Sequence, residues 1–207
     1  MKKIAAMIGA GLLLAMPVGV MAQSPPATHH LNQGSVGVFA DYLRLTPGPK
    51  AINYVGLGGR VGFHVSPHWA LEAEMDYEFA RNYTQTYTGT GTSTTTTTFV
   101  TSGVRPLSGL FGPKLQIGTG AVRAFLTGKV GFINFTNNGT KAVNGTTFTN
   151  GVSSFGGAGT HFAMYPGGGI EAYIGPVGIR AEVGDEAYAD NGVNNNMRVT
   201  VGPEFRF

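Results

Sequence analysis

Apolar and polar side chains alternate along most of this 207-residue chain with a period of two residues. The clearest stretch follows Trp69 and alternates five apolar residues with four acids: Leu71, Glu72, Ala73, Glu74, Met75, Asp76, Tyr77, Glu78 and Phe79. Successive side chains of a β-strand point to opposite faces. One face of this segment is therefore apolar, and the other carries a row of four carboxylates.

Eight segments with this pattern are predicted to be strands: 35–45, 54–65, 69–83, 107–117, 122–135, 161–174, 177–188 and 196–207. The turns at 66–68, 118–121 and 175–176 are short and rich in Gly, Pro or Ser. The other connections are longer, and the longest ones, 84–106 and 136–160, are polar and nearly uncharged, so we expect them to be mobile. Short turns at one end and long loops at the other predict an all-β fold, an eight-stranded antiparallel up-and-down transmembrane β-barrel.

The polar faces of these strands collect nine acids and seven bases, which form a predicted lumen charge network: Asp41, Arg60, Glu72, Glu74, Asp76, Glu78, Lys114, Arg123, Lys129, Glu171, Arg180, Glu182, Glu186, Arg198, Glu204 and Arg206. Two features favour placing this face inside the barrel. The predicted loops carry few charges, and glycines such as Gly56, Gly58 and Gly131 share the charged face, where they leave room for long side chains in a narrow lumen. The alternative is a soluble lipocalin-like periplasmic barrel with the apolar face inside.

The composition limits the remaining classes of function. Only 12% of the residues are charged, and the absence of cysteine excludes disulfides and thiolate metal sites. Lys2, Lys3 and the apolar stretch 4–20 predict a signal peptide over residues 1–22. A flexible segment over 23–34 and a barrel domain over 35–207 follow. Loss of the two lysines with the leader lowers the formal charge from +3 to about +1, so no nucleic-acid partner is expected.

From residue 35 to residue 207 the chain resembles the OmpA/opacity-type family of small bacterial outer-membrane barrels. The last strand, over 197–207, resembles the terminal assembly signal of that family because it ends in an aromatic residue. The resemblance implies that Phe205 and Phe207 are recognised by the barrel-assembly machinery and that the protein lies in the outer membrane after cleavage of its signal peptide. We expect no peptidoglycan-binding domain. Pro203 is unusual within a strand of this kind.

The sequence favours a non-enzymatic outer-membrane protein with a structural or surface-interaction role. The partners implied are membrane lipid, the assembly machinery and an external ligand at the long loops. The acid row is expected to pair with Arg and Lys rather than to bind metal, and no cofactor motif is present.

Two alternatives stay open at this point. One is a narrow pore, because even a filled lumen can leave a gated leak. The other is a lipid A-modifying barrel enzyme, which needs an activated nucleophile. Its candidate residues are His161 with Ser153 and Ser154, or His64 with Ser66 and His68.

Overall fold

The computed structural model describes residues 34–46, 51–89, 95–118, 120–138, 140–144, 159–190 and 192–207. These residues form twelve β-strands: β1 Gly34–Leu45, β2 Ile52–His64, β3 Trp69–Glu78, β4 Arg81–Gly89, β5 Thr95–Ile117, β6 Val122–Thr136, β7 Thr140–Asn144, β8 Gly159–Ile174, β9 Val177–Asp185, β10 Ala187–Ala189, β11 Val193–Asn194 and β12 Met197–Arg206. No helix among these residues is long and apolar enough to cross a membrane.

Eight of the strands close into a ring in which each strand is antiparallel to its neighbours. The order around the ring follows the chain, β1, β2, β3, β5, β6, β8, β9 and β12, and β12 pairs with β1. At this seam the amides of Gly34 and Phe207 each donate to the other's carbonyl oxygen at 3.0 Å. The predicted eight-stranded antiparallel up-and-down barrel is confirmed.

The alternation of the sequence becomes an alternation of burial. Large apolar side chains point outward, among them Val38, Leu57, Ile170 and Ile179, which are 59–61% exposed. Charged side chains on the same strands point into the barrel and are buried. A soluble lipocalin-like barrel requires the opposite arrangement, so that alternative is wrong. A continuous outward apolar surface of this extent is expected only where hydrocarbon replaces water.

The long loops predicted to be mobile are strands over most of their described residues, while residues 90–94 and 145–158 lie outside the described part of the chain. Residues 84–89, 95–106 and 140–144 are strands. The first ten residues of β5 pair with β4 on one side, and residues 98–101 of β5 pair with β7 on the other. These three segments form a sheet that continues from the long-loop end of the barrel. We call it the outer sheet. The prediction weighed the low apolar content and gave too little weight to the β-branched threonines, which favour strands once partners are available.

Pro203 interrupts one ladder of the last strand. Between β1 and β12, Gly37 pairs with Glu204 and Ala40 pairs with Val201, and the pairing is broken between these two positions. Proline has no N–H to donate to a neighbouring strand, which explains the gap. On the other side of β12, Pro203 keeps its place opposite Ile179, so the register of the barrel is unchanged.

Inward-facing glycines allow the strands to fit around the filled lumen. A Cβ atom on Gly131 of β6 would collide with the carbonyl oxygen of Gly109 and would lie 3.0 Å from the Cα of Leu110. Gly128, three residues earlier on the outward face of the same strand, has nothing within 4 Å of the corresponding position.

We expect Gly131→Ala to lower the free energy of unfolding by about 1–3 kcal/mol, because the added methyl group meets backbone that cannot rotate away. The matched variant Gly128→Ala should change it by less than about 0.5 kcal/mol. Denaturant unfolding of the protein folded into lipid vesicles measures both values. Equal losses in the two variants would contradict the close packing described for Gly131.

Candidate functional site

The lumen is the site at which the chain concentrates its charged side chains. Nine acids and six bases are buried there among the described residues: Asp41, Glu72, Glu74, Asp76, Glu78, Glu171, Glu182, Glu186, Glu204, Arg60, Lys114, Lys129, Arg180, Arg198 and Arg206. Arg123, which the sequence also assigned to this network, lies instead at the rim near the start of β6. Its Nε donates to the carbonyl oxygen of Gly120 at 2.8 Å. At this height the Arg123 side chain is only partly buried, so it needs no buried acid as a partner.

Five of the acids and five of the bases form a set that we call the balanced cluster: Glu72, Glu74, Glu171, Glu182, Glu204, Arg60, Lys114, Lys129, Arg180 and Arg206. Arg180 donates to both oxygens of Glu72, at 2.6 and 2.9 Å, and also pairs with Glu182 at 2.5 Å. Lys129 lies between Glu74 and Glu182, at 2.7 and 3.0 Å. The cluster links strands across the lumen and leaves the opposite charges equal in number.

Aromatic rings complete the surroundings of several of these cations. The guanidinium carbon of Arg180 lies 4.0 Å from the centre of the Phe125 ring, and that of Arg206 lies 3.5 Å from the centre of the Tyr173 ring. Both rings project inward from β6 and β8. The negative faces of such rings attract cations, and the attraction increases when water is excluded.

The other four buried acids surround a single base, and we call this set the acidic cluster: Asp41, Asp76, Glu78, Glu186 and Arg198. Arg198 pairs with Asp41 and Asp76 at 2.6 Å and with Glu186 at 3.3 Å. It also reaches Glu74 of the balanced cluster at 3.1 Å. Glu78 makes no ion pair with a described residue. The predicted pairing of the acid row with bases therefore does not hold for Glu78.

Apolar side chains fill the lumen towards the long-loop end, and we call them the apolar cap: Leu43, Leu45, Tyr54, Val104, Leu110, Ile133, Phe135, Ala163, Tyr165 and Tyr188. Leu43 and Leu45 follow Asp41 on the inward face of β1. The cap was not predicted from the sequence, because the pattern of charges on the inward face does not include its apolar residues. The same two-residue alternation from Asp41 would have identified its first two members.

The residues considered for a hydrolytic enzyme have other contacts. Ser66 Oγ accepts hydrogen bonds from the amides of His68 and Trp69 within a short turn, at 3.4 and 3.0 Å. His161 packs against the rings of Phe135 and Tyr188, and its Nδ1 lies 3.2 Å from the carbonyl oxygen of Ala189.

The remaining candidates for an activated nucleophile are His64, Ser153 and Ser154. His64 is partly buried, and its Nδ1 has no hydrogen-bond partner among the described residues. Ser153 and Ser154 lie outside the described residues.

The aromatic residues of the predicted assembly signal lie on the outward face at the end of the chain. Phe205 is 47% exposed and Phe207 is 73% exposed. The Phe207 ring also covers Gly34, where an added Cβ would come within 2.6 Å of the ring. The terminal aromatic residue thus lies at the β1–β12 seam, and its recognition by an assembly factor stays a prediction.

Comparisons with known proteins identify the fold. No family model and no curated protein matches the chain. Among solved structures, the Neisserial surface protein A is similar over 84% of this chain and 97% of its own, with a TM-score of 0.61 and 9% identity. The Ail protein of Yersinia pestis is similar over 84% and 97%, with a TM-score of 0.49 and 13% identity. OprG from Pseudomonas aeruginosa is similar over 84% and 95%, with a TM-score of 0.44 and 10% identity.

At these identities the likeness concerns the fold alone. The similarity to the Neisserial protein supports the eight-stranded antiparallel barrel as the fold of this chain. The charged lumen, the apolar cap and the outer sheet are properties of this chain that are argued from its own residues.

We expect Arg180→Met to lower the free energy of unfolding by about 3–5 kcal/mol, because Glu72 and Glu182 would both lose a buried guanidinium partner and the balanced cluster would gain an excess negative charge. Arg123→Met, the same change at the rim, should cost less than about 0.5 kcal/mol. Both values are measured by denaturant unfolding in lipid vesicles. A loss for Arg180→Met no larger than that for Arg123→Met would show that the lumen ion pairs do not hold the barrel together.

Proposed function

We propose that this protein is a non-enzymatic surface protein of the bacterial outer membrane, of the OmpA/opacity type, exported through a cleaved signal peptide. In this proposal the closed barrel is an anchor, and the outer sheet is the part that contacts ligands outside the cell. The observation that carries the proposal is the combination of a lumen filled by side chains with strands that continue beyond it.

The outward surface supports membrane insertion. The ring is closed, so each barrel strand has neighbours on both sides for its backbone groups, as a hydrocarbon environment requires. The outward side chains are apolar along the barrel strands. Phe63, Trp69, Phe205 and Phe207 lie towards the short-turn rim, where aromatic residues are favoured at a membrane interface.

The filled lumen favours an anchor over a pore. An eight-stranded barrel has an interior that side chains can just fill. Here the charged clusters occupy the body of the lumen, and the apolar cap occupies its long-loop end. Water and ions passing through would have to displace paired charges and then cross an apolar layer.

A non-enzymatic role agrees with the contacts of the candidate residues. The Ser66 hydroxyl accepts hydrogen bonds from amides of its own turn, and His161 is held among the Phe135 and Tyr188 rings. An activated nucleophile needs a hydroxyl directed at a histidine that a third group orients. Neither described candidate has that arrangement.

The outer sheet supplies a surface suited to recognition. Among the described strands, β4 and β7 each pair only with β5, so each leaves one edge free for further pairing. A free edge presents a row of backbone donors and acceptors to which an extended segment of another molecule can add as a strand. The expected ligands are components of other cells, of extracellular matrix or of the cell envelope.

We expect a cysteine placed in the outer sheet to be labelled on intact cells by a membrane-impermeant maleimide. The chain has no cysteine, so Thr86→Cys in β4 provides a single reporter. The matched variant Gly120→Cys lies in a short turn at the opposite rim, where an added Cβ would make only an ordinary contact, 3.8 Å from the carbonyl oxygen of Val122. It should be labelled only after the cells are lysed. The reverse pattern would refute the proposed orientation.

We expect removal of residues 83–102, which hold most of β4 and the part of β5 that pairs with β7, to abolish ligand binding while the barrel still folds. Asn82 and Gly103 lie next to each other, since the Gly103 amide donates to Asn82 Oδ1 at 2.9 Å. Deletion of residues 83–102 therefore joins Asn82 directly to Gly103, and the resulting Asn-Gly pair can form a tight hairpin turn. Binding of expressing cells to epithelial cells, immobilised matrix proteins and cells of the same strain should fall to the level of the empty vector.

Folding of the shortened protein is checked by its gel migration before and after boiling. Cells expressing Gly128→Ala serve as the matched control and should bind as the unmodified protein does. Undiminished binding by the shortened protein, in a barrel that migrates as folded, would contradict a recognition role for the outer sheet.

A further inference from the structure

The two charged clusters of the lumen differ in their charge balance. The balanced cluster has five acids and five bases, whereas the acidic cluster has four acids around Arg198 alone. With every group ionised, the acidic cluster carries a formal charge of −3. This excess is confined to one place, because all the remaining buried bases pair with acids of the balanced cluster.

Three of these acids converge on one point. Asp41, Asp76 and Glu78 are buried, and each presents a carboxylate oxygen within 4.8 Å of the oxygens of the other two. The sheet explains why they meet: Asp41 of β1 and Glu78 of β3 both lie opposite Gly56 of the intervening β2. Gly56 leaves this space open, since a Cβ there would lie 2.6 Å from Oε2 of Glu78.

The oxygens at this point lack partners, which is an observation independent of the clustering. Glu78 is fully buried, and neither of its carboxylate oxygens has a hydrogen-bond partner among the described residues. Oδ1 of Asp41 and Oδ2 of Asp76 are also unpartnered, while their other oxygens are held by Arg198. Buried, ionised carboxylate oxygens without donors are strongly unfavourable unless a cation or a proton neutralises them.

We propose that Asp41, Asp76 and Glu78 bind one divalent cation, and that the cation is Ca²⁺. Hard cations prefer oxygen ligands, and calcium–oxygen bonds are about 2.3–2.6 Å long. Two ligand oxygens on opposite sides of a calcium ion are therefore about 4.6–5.2 Å apart. The oxygens of Asp41, Asp76 and Glu78 lie within 4.8 Å of one another, which fits this spacing. Four carboxylate oxygens without partners are available to the ion, and water can complete the six to eight oxygen ligands that Ca²⁺ takes. Ca²⁺ accepts the irregular arrangement of side chains from separate strands, whereas Mg²⁺ demands a near-ideal octahedron.

Arg198 has a supporting role in this site. By holding Oδ2 of Asp41 and Oδ1 of Asp76, both at 2.6 Å, it directs their free oxygens to the cation. The bound ion reduces the formal charge of the acidic cluster from −3 to −1. This site does not depend on the proposed surface role, since it follows from the lumen alone.

The test is equilibrium dialysis of the full-length folded barrel in detergent against radiolabelled Ca²⁺, with a parallel series in which Mg²⁺ competes. The protein is refolded with Ca²⁺ or with a chelator, so that slow entry through the apolar cap does not hide the site. We expect one Ca²⁺ per chain, only weakly displaced by Mg²⁺. Glu78→Gln should weaken binding at least about tenfold, because it removes one ligand charge.

Glu204→Gln is the matched control, because Glu204 is equally buried but belongs to the balanced cluster. It should bind Ca²⁺ as the unmodified protein does. Absence of Ca²⁺ binding by the unmodified protein, including the sample refolded with Ca²⁺, would overturn the proposal and show that the acids are neutralised by protons alone. Unchanged binding by Glu78→Gln would overturn it as well.

Stability supplies a second readout. Ca²⁺ should shift the denaturant midpoint of the unmodified protein and of Glu204→Gln upward, because it binds only the folded state. It should shift the midpoint of Glu78→Gln by clearly less, because the variant binds Ca²⁺ more weakly. In chelator, Glu78→Gln should unfold at a higher denaturant concentration than the unmodified protein, because one unneutralised buried charge is gone. A Ca²⁺ shift of equal size in Glu78→Gln would contradict the assignment.

Discussion

The structure depends on neutralising ionised side chains in a space that excludes water. Apolar side chains cover the outside of the barrel, so the polar side chains that alternate with them on each strand point into the lumen. Bringing a carboxylate into such a space is unfavourable unless an opposite charge and hydrogen bonds replace the water that is lost. The pairs of Arg180 with Glu72 and Glu182, and of Lys129 with Glu74 and Glu182, meet that requirement across the lumen.

The balance of acids and bases differs between two parts of the lumen, and the difference distinguishes the part that acts as a core from the part proposed to bind a cation. Where acids and bases are equal in number, the lumen acts as a core in which ion pairs take the place of apolar packing. Around Arg198, Asp41, Asp76 and Glu186 share one guanidinium, and Glu78 makes no ion pair within the described part of the chain. A protein that needed only stability would gain by replacing such a group with an apolar residue, so an unmatched acid indicates a ligand.

The outer sheet and the apolar cap complete the division of roles. The cap closes the lumen towards the long-loop end, and β5 continues beyond it as the central strand of the outer sheet. The strand β5 thus belongs to both the outer sheet and the barrel, so the direction of the outer sheet is set by the barrel strand that continues into it. The arrangement suits a protein whose barrel holds a recognition surface at a distance from the membrane.

The sequence by itself determined the periodicity, the number of barrel strands, the distribution of turn lengths and the face that carries charge. These properties are local, because side-chain direction in a strand follows from residue parity. Only the tertiary structure decided which charges meet. Asp41 and Glu78 are far apart in the chain and become neighbours through their shared register with Gly56, while Arg123 is excluded from the network by its height at the rim.

The threonine-rich segment 95–101 is a second feature that the local sequence did not predict. Its polar composition suggested a mobile loop, whereas its backbone pairs with β4 and β7 as a strand. Register and pairing depend on residues far apart in the chain, and the local pattern contains no record of them.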